Sequence, residues 1–373
     1  MAAKYAIPPE NQFSDWKQID AKIADAVVIA TQDKMHSEPA VHFSNLGYHV
    51  LLEKPMATTE GECRRIYEAL KANKTIFAIG HVLRYTPLNL KIKGIVESGV
   101  LGDIINIQHL EPVGNFHFAH SYVRGNWRKE SESSFSLLAK SCHDIDWILW
   151  MMNKECVKVS SFGSLKHFTK ANKPEGATDR CLSCPVEAEC AYSAKKIYLD
   201  TIKRGHTGWP VKILTDSTPT EATVLEALQN GPYGRCVYEC DNDVADNQVV
   251  NFCFADGSTA SFTMVAFSEE ICVRKTRIFG SKGELETDGR NLIKVFDFLT
   301  RKSTIHPPDA IPVDPSMDGH GGGDYRLMYS FIEAIRTKDS SKICSPEGAL
   351  QSHLVVFAAE QSRRKDKVSN LSW

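Results

Sequence analysis

Four groups of residues have the types and spacing to do chemistry. Glu53-Lys54-Pro55 follows the apolar run His49-Val-Leu-Leu52 without a break, and open α/β sheets bind ligands at the carboxyl ends of their strands. A lysine there can direct its ammonium at a substrate hydroxyl or a cofactor ribose and stabilise a developing alkoxide. Pro55 fixes its own φ and admits a cis bond that aims Lys54. The plainer alternative is a solvated lysine at a strand end. His143-Asp144-Ile145-Asp146 is expected to open a helix, which places His143 and Asp146 on one face. The histidine can take a hydroxyl proton near neutral pH while a carboxylate fixes its tautomer. Otherwise the acids serve the helix dipole beside a structural histidine.

His320-Gly321-Gly322-Gly323-Asp324 reads as a loop ahead of a helix, with His320 and Asp324 as polar contacts for a small ligand. It lacks the Lys-Ser/Thr of a P-loop and a preceding apolar strand. An ordinary glycine connector, with Asp324 capping the helix, is the favoured reading over a phosphate site. Cys181-x2-Cys184-x5-Cys190 suits half of a tetrahedral zinc site or part of an iron–sulfur ligand set. Cys236, Cys240 or His167 are the available fourth ligands. Three reduced structural cysteines on an exposed insertion is the default against which zinc is weighed.

The elements that must position these groups follow from the apolar pattern. Asp25 to Ala30 is a short β-branched run, read as a buried parallel strand ending in the polar turn Thr31-Gln32-Asp33. His36 to Leu46 reads as a helix closed by Gly47. His49 to Leu52 is the next strand, and Thr58 or Thr59 caps the next helix. Thr75 to Ile79 is a third strand, followed by Gly80-His81 and a helix from Asn89 to Glu97. This alternation is the pattern of an open parallel sheet with covering helices. From Ile104 the texture changes. Ile104 to Leu110 reads as a strand and Ser141 to Met152 as a helix. Val249 to Phe254 and Thr259 to Phe267 form a hairpin around Asp256-Gly257-Ser258, and three short strands lie between Arg277 and Phe296. Helices run from Tyr325 to Arg336 and from Pro346 to Ser362. The fold class is therefore α/β: a partial Rossmann-type parallel-sheet domain (1–105), then an α+β domain with a mostly antiparallel open sheet (106–373). The second domain carries a cysteine-containing insertion near 170–200.

The chain has 373 residues, 42% hydrophobic and 24% charged, with a formal net charge of −2. This is a globular composition. It gives no bulk attraction to nucleic acid or anionic membrane, and no apolar run is long enough to span a bilayer. No secretory h-region is found near the start. The eleven cysteines are expected to be reduced thiols in the cytoplasm.

Taken together, Ala26 to His36, Gly47-Tyr-His-Val-Leu-Leu-Glu-Lys-Pro-Met56, His143-x-x-Asp146, Ile278-Phe-Gly-Ser-Lys-Gly-Glu284 and His320 to Asp324 resemble the Gfo/Idh/MocA oxidoreductases over nearly the whole chain. That family includes glucose-fructose oxidoreductase and inositol 2-dehydrogenase. The resemblance implies a Rossmann domain binding NAD or NADP and a C-terminal domain whose sheet forms a homodimer interface. It implies hydride transfer between nicotinamide and a carbon of a sugar-like or polyol substrate. By the same resemblance Lys54 contacts substrate and ribose, and His143 is the catalytic acid/base. Thr31, His36 and Glu53 lie by the cofactor. Asp146 is a helix-face support or a substrate contact, and Lys140 and His320 are further candidate substrate contacts. Two features depart from the family pattern. No Gly-x-Gly-x-x-Gly turn precedes the first strand, so the chain reads as an N-terminally shortened member with impaired activity. Ala139 stands where many members carry an aspartate four residues before the histidine, with Lys140 next to it.

The leading expectation is an NAD(P)-dependent dehydrogenase. The alternative is a catalytically inactive member acting in dimerisation or regulation. A third reading is an enzyme that retains its cofactor and performs elimination or hydrolysis through transient oxidation.

Overall fold

The computed structural model describes residues 2–308 and 319–372. In chain order its elements are β1 (Ala26–Ile29), α1 (Ser37–Asn45), β2 (His49–Leu52), α2 (Glu60–Asn73), β3 (Phe77–Ile79), α3 (Pro87–Glu97), β4 (Ile104–Pro112), α4 (Asn115–Phe118), α5 (Ser136–Met152) and β5 (Cys156–Ser164). There follow α6 (Asp200–Lys203), α7 (Glu221–Asn230), β6 (Asn247–Phe254), β7 (Thr259–Val265), β8 (Lys275–Gly280), β9 (Gly283–Thr287), β10 (Ile293–Asp297), β11 (Lys302–Ile305), α8 (Gly323–Thr337), α9 (Pro346–Lys365) and β12 (Ser369–Asn370).

The chain divides into two compact units, residues 1–90 with 310–354, and residues 91–309 with 355–373. The change of texture expected near residue 105 coincides with the start of β4. The compact units part earlier, inside α3, and the segment carrying α8 returns to the first unit.

In the first unit β1, β2 and β3 form a parallel sheet in that order, with Val28 opposite Leu51 and Leu51 opposite Ala78. Val50, Leu51 and Leu52 are all buried, as expected of a strand covered on both faces. Gly47 ends α1 at φ +80°, a conformation that only glycine adopts without cost. Thr59 caps α2, its hydroxyl accepting from the Glu62 amide at 3.3 Å. Leu327, Phe331 and Ala334 of α8 pack with Leu51, Ala78, Val82 and Tyr85. The expected capping by Asp324 does not occur. Gly322 is the N-cap, with no side-chain capping bond, and Asp324 lies inside the first turn of α8. Its carboxylate instead meets His320 Nδ1 at 2.9 Å.

In the second unit nine strands form a mixed sheet in the order β11-β10-β9-β8-β4-β7-β6-β5-β12. Only the β4–β7 pairing is parallel. Helix α5 packs on this sheet, with the Trp147 ring stacked 4.7 Å from His109 of β4. The expectation that His143-Asp144-Ile145-Asp146 opens this helix is corrected. The helix begins at Ser136, so these residues lie in its interior and the dipole argument for their acids falls away. The serines at 133, 134 and 136 are all buried. Ser136 Oγ donates to the Ala245 carbonyl at 2.8 Å, which satisfies its hydroxyl inside the fold. No helix among the described residues is long and apolar enough to cross a membrane.

Candidate active site

The first unit brings several expected residues to the carboxyl ends of its strands. The Glu53 amide donates to Ile29 O at 2.9 Å and the Gly80 amide to Leu52 O at 2.8 Å, so the sheet pairing continues into the Glu53-Lys54 turn. The Lys54–Pro55 bond is cis. His36 is buried, and its ring spans the two strand ends. Nδ1 lies 2.7 Å from Pro55 O and Nε2 lies 3.1 Å from Thr31 O. Its ring is thus a clasp between the turn after β1 and the turn after β2. Thr31 is exposed, and Glu53 and Lys54 are half-buried. Gly80 sits so close that a Cβ there would fall 2.6 Å from Glu53 Oε2 and 3.0 Å from the Lys54 amide nitrogen. The fit of Glu53-Lys54 against β3 therefore needs a residue without a side chain.

The second unit buries an ion-pair network around His143. Arg274 donates from Nε to Asp144 Oδ1 at 2.8 Å and from Nη2 to His143 Nε2 at 2.9 Å. Its Nε also stands 2.8 Å from Glu111 Oε2. Lys140 Nζ lies 3.1 Å from the other Glu111 oxygen and 3.0 Å from Cys272 Sγ. His109, held by Thr276 Oγ1 at 2.7 Å, reaches Asp144 Oδ1 at 3.3 Å. Two cations thus meet two carboxylates in a buried site, as such charges require. Burial is the largest single influence and would raise the Asp144 pKa, but Arg274, His143 and His109 together outweigh it and hold the carboxyl well below the usual range. Burial is the largest influence on Lys140 and opposes its charge, but Glu111 and Cys272 together more than offset it, so its pKa is raised.

This arrangement fixes the chemistry of His143. A guanidinium only donates, so Nε2 is an acceptor and its lone pair points at Arg274. Asp144 Oδ2 stands 3.5 Å from the same nitrogen. A proton taken at Nε2 would therefore find a carboxylate beside it. The carboxylate expected to support the histidine was Asp146, which is fully buried on α5. Asp144 takes that place at Nε2. Asp144, Glu111, His109, Cys272 and Arg274 were not foreseen as site residues. The adjacency of Asp144 to His143 was the one signal available, while Glu111 and Arg274 reach the site from β4 and from the segment before β8.

Of the remaining expected residues, His320 is exposed and paired with Asp324 in the first unit. Cys181, Cys184 and Cys190 line one cavity with Cys236 in the second.

A parallel-sheet unit and a mixed-sheet α/β unit of this kind define a class of dinucleotide-dependent oxidoreductase. The model of the oxidoreductase family's NAD-binding Rossmann fold matches residues 1–81, and that of its C-terminal alpha/beta domain matches residues 93–371. The chain belongs to the Gfo/Idh/MocA oxidoreductase family. It is 24% identical over 332 residues to YteT of Bacillus subtilis, named for an oxidoreductase, covering 86% of this chain and 74% of that protein. It is 29% identical over 144 residues to inositol 2-dehydrogenase 2 of Saccharopolyspora erythraea, covering 38% of this chain and 39% of that protein. Similarity to several curated relatives thus spans well under half of their length. Levoglucosan dehydrogenase in complex with NADH and levoglucosan shares the fold at a TM-score of 0.71 and 18% identity, over 100% of this chain and 87% of that one. Aldose-aldose oxidoreductase from Caulobacter crescentus does so at 0.66 and 17%, over 99% and 87%.

Proposed function

We propose that this protein is an NAD(P)-dependent dehydrogenase that moves a hydride between nicotinamide and a carbinol carbon of a sugar-like or cyclic polyol substrate. The observation that carries the reading is His143 Nε2, buried and held as a hydrogen-bond acceptor beside Asp144. Relatives named inositol 2-dehydrogenase and levoglucosan dehydrogenase support the substrate class.

The residues at the ends of β1 and β2 fit one end of the cofactor. An exposed hydroxyl at Thr31 and a half-buried carboxylate and ammonium at Glu53 and Lys54 are the donors and acceptors that a ribose diol takes. Thr31, Glu53 and Lys54 would hold it, and His36 keeps their two turns in place. The nicotinamide, when bound, supplies the hydride acceptor or donor.

The chain's own residues move the proton. A substrate hydroxyl takes Arg274's place as donor to His143 Nε2, and the imidazole accepts that proton as the carbinol carbon is oxidised. Asp144 then faces the new N–H and offsets its charge. By the family resemblance Lys54 is the lysine that contacts substrate and ribose, and an ammonium in that role favours the alkoxide character of the transition state. Lys140 and Glu111 keep Arg274 and Asp144 balanced in charge. Asp146 and His320 remain candidate substrate contacts. Exposed Ile105, Phe162 and Val249 on the large sheet support a homodimer.

Steady-state assays over a panel of inositols, aldoses and anhydrosugars test the function. Stoichiometric formation of NADH or NADPH with at least one of them supports it. Turnover without net change in the nicotinamide would point to elimination or hydrolysis through transient oxidation.

A further inference from the structure

Residues 165–246, between β5 and β6, contain little regular structure beyond single turns, α6 and α7. Their core is a small cluster around Cys181, Tyr198, Val211, Val224 and Leu228. Segments with so small a core commonly depend on a cross-link or a metal.

Cys181, Cys184, Cys190 and Cys236 line one cavity of about 20 Å³. That is room for one atom rather than for an organic ligand. Neither Cys240 nor His167 lines it. The Cys240 thiol is turned to the Cys236 carbonyl at 3.3 Å, and His167 Nε2 is engaged by the Tyr238 hydroxyl at 3.2 Å. The choice among fourth ligands therefore falls on Cys236. Each cysteine sits at a tight turn. Cys181 opens one and the Cys184 amide closes it, while the Cys190 amide closes another onto Glu187 O at 3.0 Å.

Arg124 supplies an independent observation. Its guanidinium is buried. It donates to the carbonyls of Arg235 and Tyr192, each at 2.8 Å, and to Cys181 Sγ at 3.5 Å. Its Nη1 has no hydrogen-bond partner among the described residues, and none of its partners there is a carboxylate. Buried charges are paired or bound to metals, and the sulfurs are the available counter-charge.

We propose that Cys181, Cys184, Cys190 and Cys236 bind one Zn²⁺ in a closed, structural site that staples residues 165–246. Zinc favours four thiolates in a tetrahedron at about 2.3 Å. No three of these sulfurs stand within 4.8 Å of one another among the described residues, so binding contracts the cavity. It releases the four thiol protons, and Arg124 offsets part of the negative charge that remains on the cluster.

The test is elemental analysis of the full chain, expressed with zinc and purified reduced without chelator. Wild type and the control Cys253→Ser should carry roughly one zinc per chain, and Cys184→Ser and Cys190→Ser should lose most of it. Should these variants aggregate, cobalt(II) added to the reduced, metal-stripped wild type decides. A thiolate-to-cobalt charge-transfer band that zinc abolishes supports the site. A folded wild type that holds no zinc and gives no such band overturns the proposal. So do zinc undiminished in both serine variants and iron in zinc's place.

Discussion

Arg274 donates from Nη2 to Nε2 of His143 across 2.9 Å, and the same guanidinium binds Asp144 through Nε at 2.8 Å. One cation thus touches both the proposed base and the carboxylate that would receive its charge. In the proposed mechanism Arg274 is a positioning residue whose N–H occupies Nε2 until a substrate hydroxyl replaces it.

Removing that cation as Arg274→Gln leaves His143 beside Asp144 with no opposing charge. An opposite charge favours the protonated imidazole, so the acidic limb of the kcat profile should move to higher pH. Arg274→Lys should restore part of the shift. A profile that keeps its shape while kcat falls uniformly would reduce Arg274 to a structural role.

His143→Asn and Lys54→Met should each lower kcat by at least about a hundredfold, the scale of one positioned acid/base group, with circular dichroism unchanged. An unaltered kcat in either variant removes that residue from the mechanism.

Gly80→Ala tests the fit at the strand ends. The added methyl would meet Glu53 Oε2 at 2.6 Å and the Lys54 amide nitrogen at 3.0 Å, and overpacking of this kind costs about 1–3 kcal/mol. A lower Tm is expected, together with weaker dinucleotide binding if Glu53 and Lys54 hold the ribose. A Tm equal to that of wild type would show that the turn has room to move.

His120 gives the second unit a pH dependence. Burial, aided by the Arg124 charge, pushes its pKa down from 6.5 to about 4. Between these values the unfolded chain binds a proton that the folded chain does not, so stability falls as pH falls through that window and levels off below it. Between pH 7 and pH 5 the loss should be about 2 kcal/mol. Urea midpoints at the two pH values measure it, and His120→Gln should remove most of the difference.

The first unit was legible because its strands are short, mostly apolar runs, and because glycine or a polar turn closes most elements. The Glu53-Lys54-Pro55 turn could be placed from sequence alone for that reason. The start of α5 could not, since Ser133, Ser134 and Ser136 are buried polar residues whose tertiary partners no local pattern reveals. Strand β5 was also missed, because the alternation of Val157 to Ser160 breaks where Ser161 takes an apolar position and is buried while Phe162 is exposed. His143 was found by its spacing from Asp146 on one helix, and Lys140 as the neighbour of Ala139, where the family pattern carries an aspartate. Glu111 and Arg274, which give that pair its electrostatics, lie 32 residues before His143 and 131 after it, and only the sheet brings them together. The cysteine spacing singled out three candidate ligands for the proposed zinc site, and the cavity was needed to choose a fourth.

The central claim, a working dinucleotide site on this chain, is tested most directly by titrating it with NADH and with NADPH while following cofactor fluorescence and Tm. The account predicts saturable binding of at least one of them, with a Tm that rises with ligand concentration. A folded protein that binds neither would contradict it and would favour a non-catalytic role.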